Sequence, residues 1–337
     1  MKKQLFIGAL LILINIGSVK AQKEVIDFLN AGVADANTLA HAYLKPYGEM
    51  LGTNLNSGWY NSAKVHKIGG VDFTLSVSYT MVPNSGKKYD INPLESQLTN
   101  VKLSDPNNSV APTVAGEFGP NETLPELQMK DDPTGLTRFS VPNGSGFDAM
   151  PTPMIQGAVG LPFHTEVMGR FMPKVEYKDY GKAFLWGIGV KHSLKDYIPF
   201  VKRVPFLQLS VLGAYTKFES SLGVEYGAPE EIGLNEGKLE INSNAYTGRL
   251  LVGANFPVIA LYTGMGYGNT KSGFGVKGTF VTTVDGEVTD PIDLNYTTSG
   301  FDFNVGMRLR LAVFSIHADY SVGDYSMITA GVGINFR

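Results

Sequence analysis

The C-terminal run of the chain constrains its architecture more than any other feature. Counting back from Phe336, residues Phe336, Ile334, Val332, Ala330 and Ile328 are apolar, and Asn335, Gly333, Gly331 and Thr329 between them are small or polar. Successive side chains of a strand point to opposite faces, so this spacing predicts one apolar and one polar face. The preceding run repeats the pattern, with Phe301, Phe303, Val305, Met307, Leu309 and Leu311 set against Asp302, Asn304, Gly306, Arg308 and Arg310. Strands of this kind are predicted at 70–82, 154–162, 165–176, 182–193, 205–218, 240–255, 258–270, 299–311, 313–322 and 325–336. A soluble two-sheet sandwich also alternates, but its outer face is charged. Here the faces opposite the apolar rows carry mostly Gly, Ser, Thr and Asn, with few Lys or Glu. That poverty of charge favours a sheet closed on itself, with lipid outside and a polar lumen inside.

The N-terminus supplies the compartment. Lys2 and Lys3, the apolar run Leu5 to Ile14 and the small residues of Val19-Lys20-Ala21 form the three parts of a secretory signal over 1–21, with Gln22 as the mature N-terminus. The apolar run is too short to anchor the chain, and no later stretch approaches 18 apolar residues. The 337 residues include no Cys, which excludes a disulfide framework, a thiol nucleophile and a thiolate metal site. A net charge of -3 argues against a nucleic-acid partner. Export with alternating strands and no helical anchor points to a transmembrane antiparallel β-barrel in a bacterial outer membrane, with outer-membrane lipid as its surroundings.

Residues 22–66 read differently. Val25, Phe28 and Leu29, then Leu39, Ala42, Tyr43 and Leu44, recur at helical spacing, with Asn37 or Thr38 as a cap and Pro46 as a break or kink. A turn-rich stretch from Gly48 to Tyr60 follows. This predicts a short helical hatch ahead of a barrel at 67–337. Outer-membrane barrels have short periplasmic turns, long outer loops and both termini in the periplasm. The turns near Ala312, Asn255-Phe256-Pro257 and Leu161-Pro162-Phe163 then fall on the periplasmic side, and the polar segments 83–152, 219–239 and 271–298 fall outside. Segment 194–204 is a periplasmic exception, predicted to hold a helical turn. Parity closes with ten strands. A hairpin within 83–152, or one made by 274–283 and 291–297, would add to them, so the expected range is 10–14.

Charged residues on the inferred lumen face are the candidate site: Glu166, Arg170, Arg249, Arg308, Arg310, His317 and Asp319, with Asp72 and Asp302 beside them. Two readings stand. The charges pair into a network that braces wall and hatch, or the arginines receive the anionic end of a ligand through their planar forks. Met168, Met172, Leu212 and Tyr262 also face inward, either packing the hatch or lining an apolar pocket. Gly264, Gly266 and Gly268 lie at period two and read as small lumen residues, not as a nucleotide loop. Catalytic signatures are wanting: His192 adjoins Ser193 without an orienting acid, and no H-E-x-x-H, G-x-S-x-G or P-loop occurs. The chain reads as a non-enzyme without catalytic residues, metal or cofactor.

The segment Leu161-Pro162-Phe163-His164-Thr165-Glu166-Val167 with Arg170, together with the order of signal, hatch and barrel, resembles the long-chain fatty-acid transporter family. The segments Tyr43-Leu44-Lys45-Pro46, Gly58-Trp59-Tyr60-Asn61 and Asp72-Phe73-Thr74 are similar to an uncharacterised bacterial outer-membrane barrel family, over nearly the whole mature chain. The first resemblance implies a passive channel for a small hydrophobic or amphipathic solute. The second implies no activity. The rival expectation is a barrel whose long outer segments bind a protein or surface polymer.

Overall fold

A computed structural model of the chain describes residues 25–177, 181–224, 237–282 and 284–336. The predicted signal at 1–21, part of the outer segment 219–239 and Arg337 lie outside them. Ten strands form the wall: β1 (Val71–Met81), β2 (Ala149–Leu161), β3 (Thr165–Tyr177), β4 (Gly181–Ser193), β5 (Leu207–Val224), β6 (Gly237–Asn255), β7 (Ile259–Lys277), β8 (Ile292–Leu311), β9 (Phe314–Val322) and β10 (Ser326–Phe336). Each pairs antiparallel with its neighbours, and β1 closes the barrel on β10 from Val71↔Phe336 to Met81↔Ser326. Closure leaves no open edge around the wall, which is what a lipid surround demands of backbone polar groups.

The apolar rows face outward. Phe73, Phe171, Trp186, Ile188, Leu261, Met265, Val305, Ile316 and Val332 are exposed, while the alternate positions on the same strands are buried. Aromatic rings border this belt. At one edge Trp186, Tyr215 and Tyr246 follow one another at centroid distances of 5.5 and 4.9 Å, and Tyr267 meets Phe301 at 5.1 Å. Phe163, Phe206, Phe256 and Phe314 mark the other edge. From Tyr246 to Phe256 the chain advances ten residues. At about 3.4 Å per residue and a tilt of about 40°, that is roughly 26 Å, close to the apolar band of such barrels. The protein is therefore a β-barrel of the bacterial outer membrane, and the ends with short and long connections are its periplasmic and external ends.

The wall is uneven. β5 to β8 run 18 to 20 residues, whereas β9, β10 and β1 run 9 to 11. The tall strands absorb the residues that the sequence placed in a further hairpin: Phe274–Val276 pairs with Ile292–Leu294 inside the β7–β8 hairpin, and only the tip folds separately, Thr279–Thr282 against Gly286–Thr289. The strand number is thus ten. Over the short side, residues 82–148 form a cap with two small sheets, 88–90 with 110–112, and 101–103 with 126–129 and 138–140. Its buried Ile91, Leu98, Val101, Leu103, Val114, Leu127 and Val141 share one core with Phe274, Val276, Leu294 and Tyr296 of the tall wall.

A 3₁₀ turn (Phe28–Ala31) leads into the main helix of the hatch, α1 (Val33–Asn56), which is continuous through Pro46. The sequence predicts a break or kink there because proline lacks an N–H and crowds the preceding turn. Partners outside the helix serve its carbonyls near that point: Tyr296 donates its hydroxyl to His41 O (3.1 Å), and the Val114 N–H donates to Tyr43 O (3.0 Å). Asn37 and Thr38 lie inside the helix, and Gly32, at φ 83°, precedes its first turn. Residues 25–31 pack into the cap core at the external end, so the described N-terminal segment lies opposite the expected periplasmic side. From there α1 descends through the lumen, and residues 57–70 reach the periplasmic end before β1 turns back up. A second helix, α2 (Pro199–Arg203), fills the long periplasmic connection as predicted.

Candidate functional site

Charged groups meet α1 at both ends. In its first turn, the fully buried Asp35 carboxylate accepts the backbone N–H groups of Thr99 (2.6 Å), Asn100 (2.7 Å) and Val101 (3.0 Å). A negative group there also matches the positive end of the helix dipole. The adjacent Val33 N–H donates to Asp285 of the tip hairpin at 2.7 Å. Helix, cap and tall wall are joined at this point.

At the other end, the last carbonyls of a helix lack intrahelical donors and carry partial negative charge. Two wall arginines supply the missing donors. Arg170 of β3 donates to Ser57 O at 2.8 Å, to Leu55 O and to the Thr216 hydroxyl, and its guanidinium lies 4.1 Å over the Trp59 ring. Arg249 of β6 donates to Asn56 O at 3.4 Å and grips Asp302 with both terminal nitrogens at 2.6 and 2.7 Å. A planar fork suits these tasks, since it serves two acceptors without bending. Arg170 is fully buried with no carboxylate partner among the described residues, so carbonyl dipoles and the Trp59 ring are what offset its charge.

Below the helix, the descending segment packs into the wall. Trp59 and Tyr60 share a core with Met168, Leu212, Leu251 and Tyr262. Trp59 sits over Gly187 and Gly189, where a Cβ would come within 3.0–3.1 Å of its ring. Gly264, Gly266 and Gly268 likewise leave room for Tyr60, Arg249 and Asn56. A hydrogen-bonded chain crosses the lumen: Tyr60 donates to Asn304 Oδ1 (2.6 Å), Asn304 to Asp319 (3.2 Å) and Tyr262 to Asp319 (3.0 Å). Further down, Arg308 donates to Asn61 Oδ1 (2.6 Å) and Asp72 (2.8 Å), and Glu166 accepts from His66 (2.6 Å) and pairs with Lys191 (3.0 Å).

All seven predicted residues face the lumen, yet they do not converge on one pocket. Glu166, Arg170, Arg249 and Arg308 bind the plug or its neighbours, Asp319 joins the tyrosine–asparagine chain, and His317 lies inward with Nδ1 unpartnered among the described residues. Arg310 stands apart near the periplasmic mouth. Met168, Leu212 and Tyr262 pack the plug, and Met172 belongs to the larger core. The sequence reading missed Asp35, His66, Asn304 and Lys191. Lys191 and Asn304 carried a signal, since each neighbours outward residues, Val190 and Phe303, and must point inward by parity. His192 contacts Thr165 (2.9 Å) and Tyr197 (3.3 Å). A cleft of about 50 Å³ lies where β8 outruns β9, lined by Thr53, Asn56, Phe301, Asp302, Asp324 and Tyr325, which is room for a few waters.

Several solved structures have a similar outline. The translocator domain of the autotransporter NalP from Neisseria meningitidis is 13% identical, with 89% of this chain and 97% of that one covered and a TM-score of 0.36. Ail, the attachment invasion locus protein of Yersinia pestis, is 10% identical over 80% and 99% with a TM-score of 0.26. The Ralstonia pickettii toluene transporter TbuX is 7% identical over 82% and 92% with a TM-score of 0.28. Likenesses this distant carry no argument about activity. No curated protein matches the sequence. One family model does, along residues 1–336, and by that match the chain belongs to a family of unknown function (DUF6588).

Proposed function

We propose that this barrel is a closed outer-membrane anchor that presents its folded cap to a protein or polymer at the cell surface, with α1 as a standing seal. The observation that carries this reading is the engagement of Arg170 and Arg249 with the C-terminal carbonyls of α1. Groups that close the helix end are not free to hold a solute. The opposite end is tied through Asp35 to the cap, so a sliding helix would break contacts at both ends. The cap offers a polar outer surface with Leu136 exposed at its tip.

A channel for a small hydrophobic or amphipathic solute is supported by one observation, the cleft beside the step between β8 and β9. Passage there would require α1 to leave its seat. Proteoliposomes separate the two readings. With wild-type protein, entry of a small sugar and of a fluorescent fatty acid should match protein-free vesicles. Saturable entry of either would overturn the sealed reading. On intact cells, a photo-crosslinker at Lys102 or Leu136 should give a discrete adduct that the same group at lipid-facing Val305 does not.

A further inference from the structure

The periplasmic mouth holds cations that have no ion-pair partner among the described residues. Carboxylates at that end are already engaged among the described residues. Asp72 faces Arg308 at 2.8 Å, Glu166 faces Lys191 at 3.0 Å and His66 at 2.6 Å, and Asp196 faces His164 at 3.1 Å and Lys202 at 3.8 Å. The side chains of Lys64, Lys67 and Arg310 have no hydrogen bond or ion pair among the described residues. Arg310 Nε is buried without an acceptor. Lys195 lies close by, but its ammonium serves the carbonyls of Val204, Pro205 and Leu207 at 3.1, 2.8 and 2.8 Å. The cations feel one another: Lys64 is held below the usual lysine value, by partial burial first and then by the positive fields of Arg310, Lys67 and Lys195.

Like charges gathered without a counter-charge oppose folding, and a buried guanidinium nitrogen without an acceptor adds to that. The arginines that serve structure each have a partner: a carboxylate at 2.8 Å or less for Arg308 and Arg249, and helix carbonyls with the Trp59 ring for Arg170. The Arg310 side chain has neither among the described residues. We propose that Lys64, Lys67 and Arg310 form a binding site at the periplasmic mouth for an oxyanion bearing two or more negative charges. Arg310 presents the planar fork that engages two oxygens of a phosphate or carboxylate, and the lysines supply point charges from the exit of the plug. The site is independent of what the cap binds.

Titration calorimetry on the full protein in non-ionic detergent at low salt tests the proposal, with pyrophosphate and a hexaglutamate peptide as probes. At least one should bind, more weakly as salt rises, and about tenfold more weakly in both Lys64→Gln/Lys67→Gln and Arg310→Gln. Tighter binding of pyrophosphate identifies a small phosphate as the natural class, and tighter binding of hexaglutamate an acidic peptide. Should neither probe bind, or should binding survive in both variants, the proposal falls. The unfolding temperature guards against misfolding. Without ligand, Lys64→Gln should unfold at a higher temperature than wild type at low salt, because repulsion is relieved. Whichever probe binds should raise the unfolding temperature of wild type, and should raise that of the Lys64→Gln/Lys67→Gln form less.

Discussion

Replacing Arg170 with Ala removes the helix-end clamp at its most buried point. The guanidinium donates to Ser57 O at 2.8 Å and to Leu55 O, and it covers Trp59 at 4.1 Å. Each hydrogen bond from a charged donor is worth about 1.5–3 kcal/mol, and a desolvated cation–π contact about 2 kcal/mol. Against this stands the relief of a buried cation, itself several kcal/mol. Truncation leaves Ser57 O short of a donor and Leu55 O with only the Thr216 hydroxyl at 3.2 Å, beside an emptied space, so we set the net loss at about 3 kcal/mol of plug docking. That corresponds to roughly a 150-fold larger undocked population. Because the chain has no Cys, a Ser62→Cys substitution places one thiol in the buried descending segment. Maleimide labelling of that thiol should be about 100-fold faster in the Arg170→Ala background. Arg170→Lys should fall between, since a lysine keeps the charge and loses the fork. Labelling within a factor of about two of the parent, in a barrel that remains folded, would refute the clamp.

Four further outcomes are expected. Asp35→Asn removes the charge at the helix start and one acceptor, so protease cleavage within 99–103 should quicken about tenfold while the barrel stays intact. The two tryptophans divide inside from outside: brominated lipid should quench Trp186 and spare Trp59, read from Trp59→Phe and Trp186→Phe proteins, and equal quenching would contradict the assigned faces. An epitope inserted ahead of Val25 should be reached by antibody on intact cells; access only after the outer membrane is breached would place the plug the other way up. In the external loops, Glu122 is held low by its hydrogen bonds from Lys88 and Gly119, and Asp290 by those from Gly278 and Lys277. Depressed carboxyls lend stability above the ordinary carboxylate range and lose it as pH falls through their lower folded values, so cap and tip should become protease-sensitive below about pH 4 before the barrel opens.

The wall was legible in the sequence because its signal is local. A period of two with Phe, Val and Ile on one side is imposed by lipid at every step of a strand, and it placed Arg170, Arg249 and Arg308 inward without knowledge of their partners. Gly264, Gly266 and Gly268 were legible for the same reason. The upper reaches of β5, β7 and β8 were not, because above the aromatic edge both faces meet polar or cap residues and the alternation of hydropathy fades. The plug was legible only in part. Pro46 signals a break or kink from its own chemistry, and the outside donors to the flanking carbonyls of His41 and Tyr43 are Tyr296 and Val114, far away in sequence. Asp35 looks like any acidic residue near a helix start until Thr99 to Val101 fold over it. That Arg170 and Arg249 close a helix end depends on contacts of residues 55–57 with the wall that no periodicity encodes.

Hydrogen exchange along α1, followed by mass spectrometry in lipid nanodiscs, addresses the central claim most directly. A helix clamped at both ends should hold the amides of residues 39–56 as long as those of β6 and β7, far longer than the cap. Exchange of α1 on the timescale of the cap loops, while the strands stay protected, would contradict the account and return the lumen to the role of a passage.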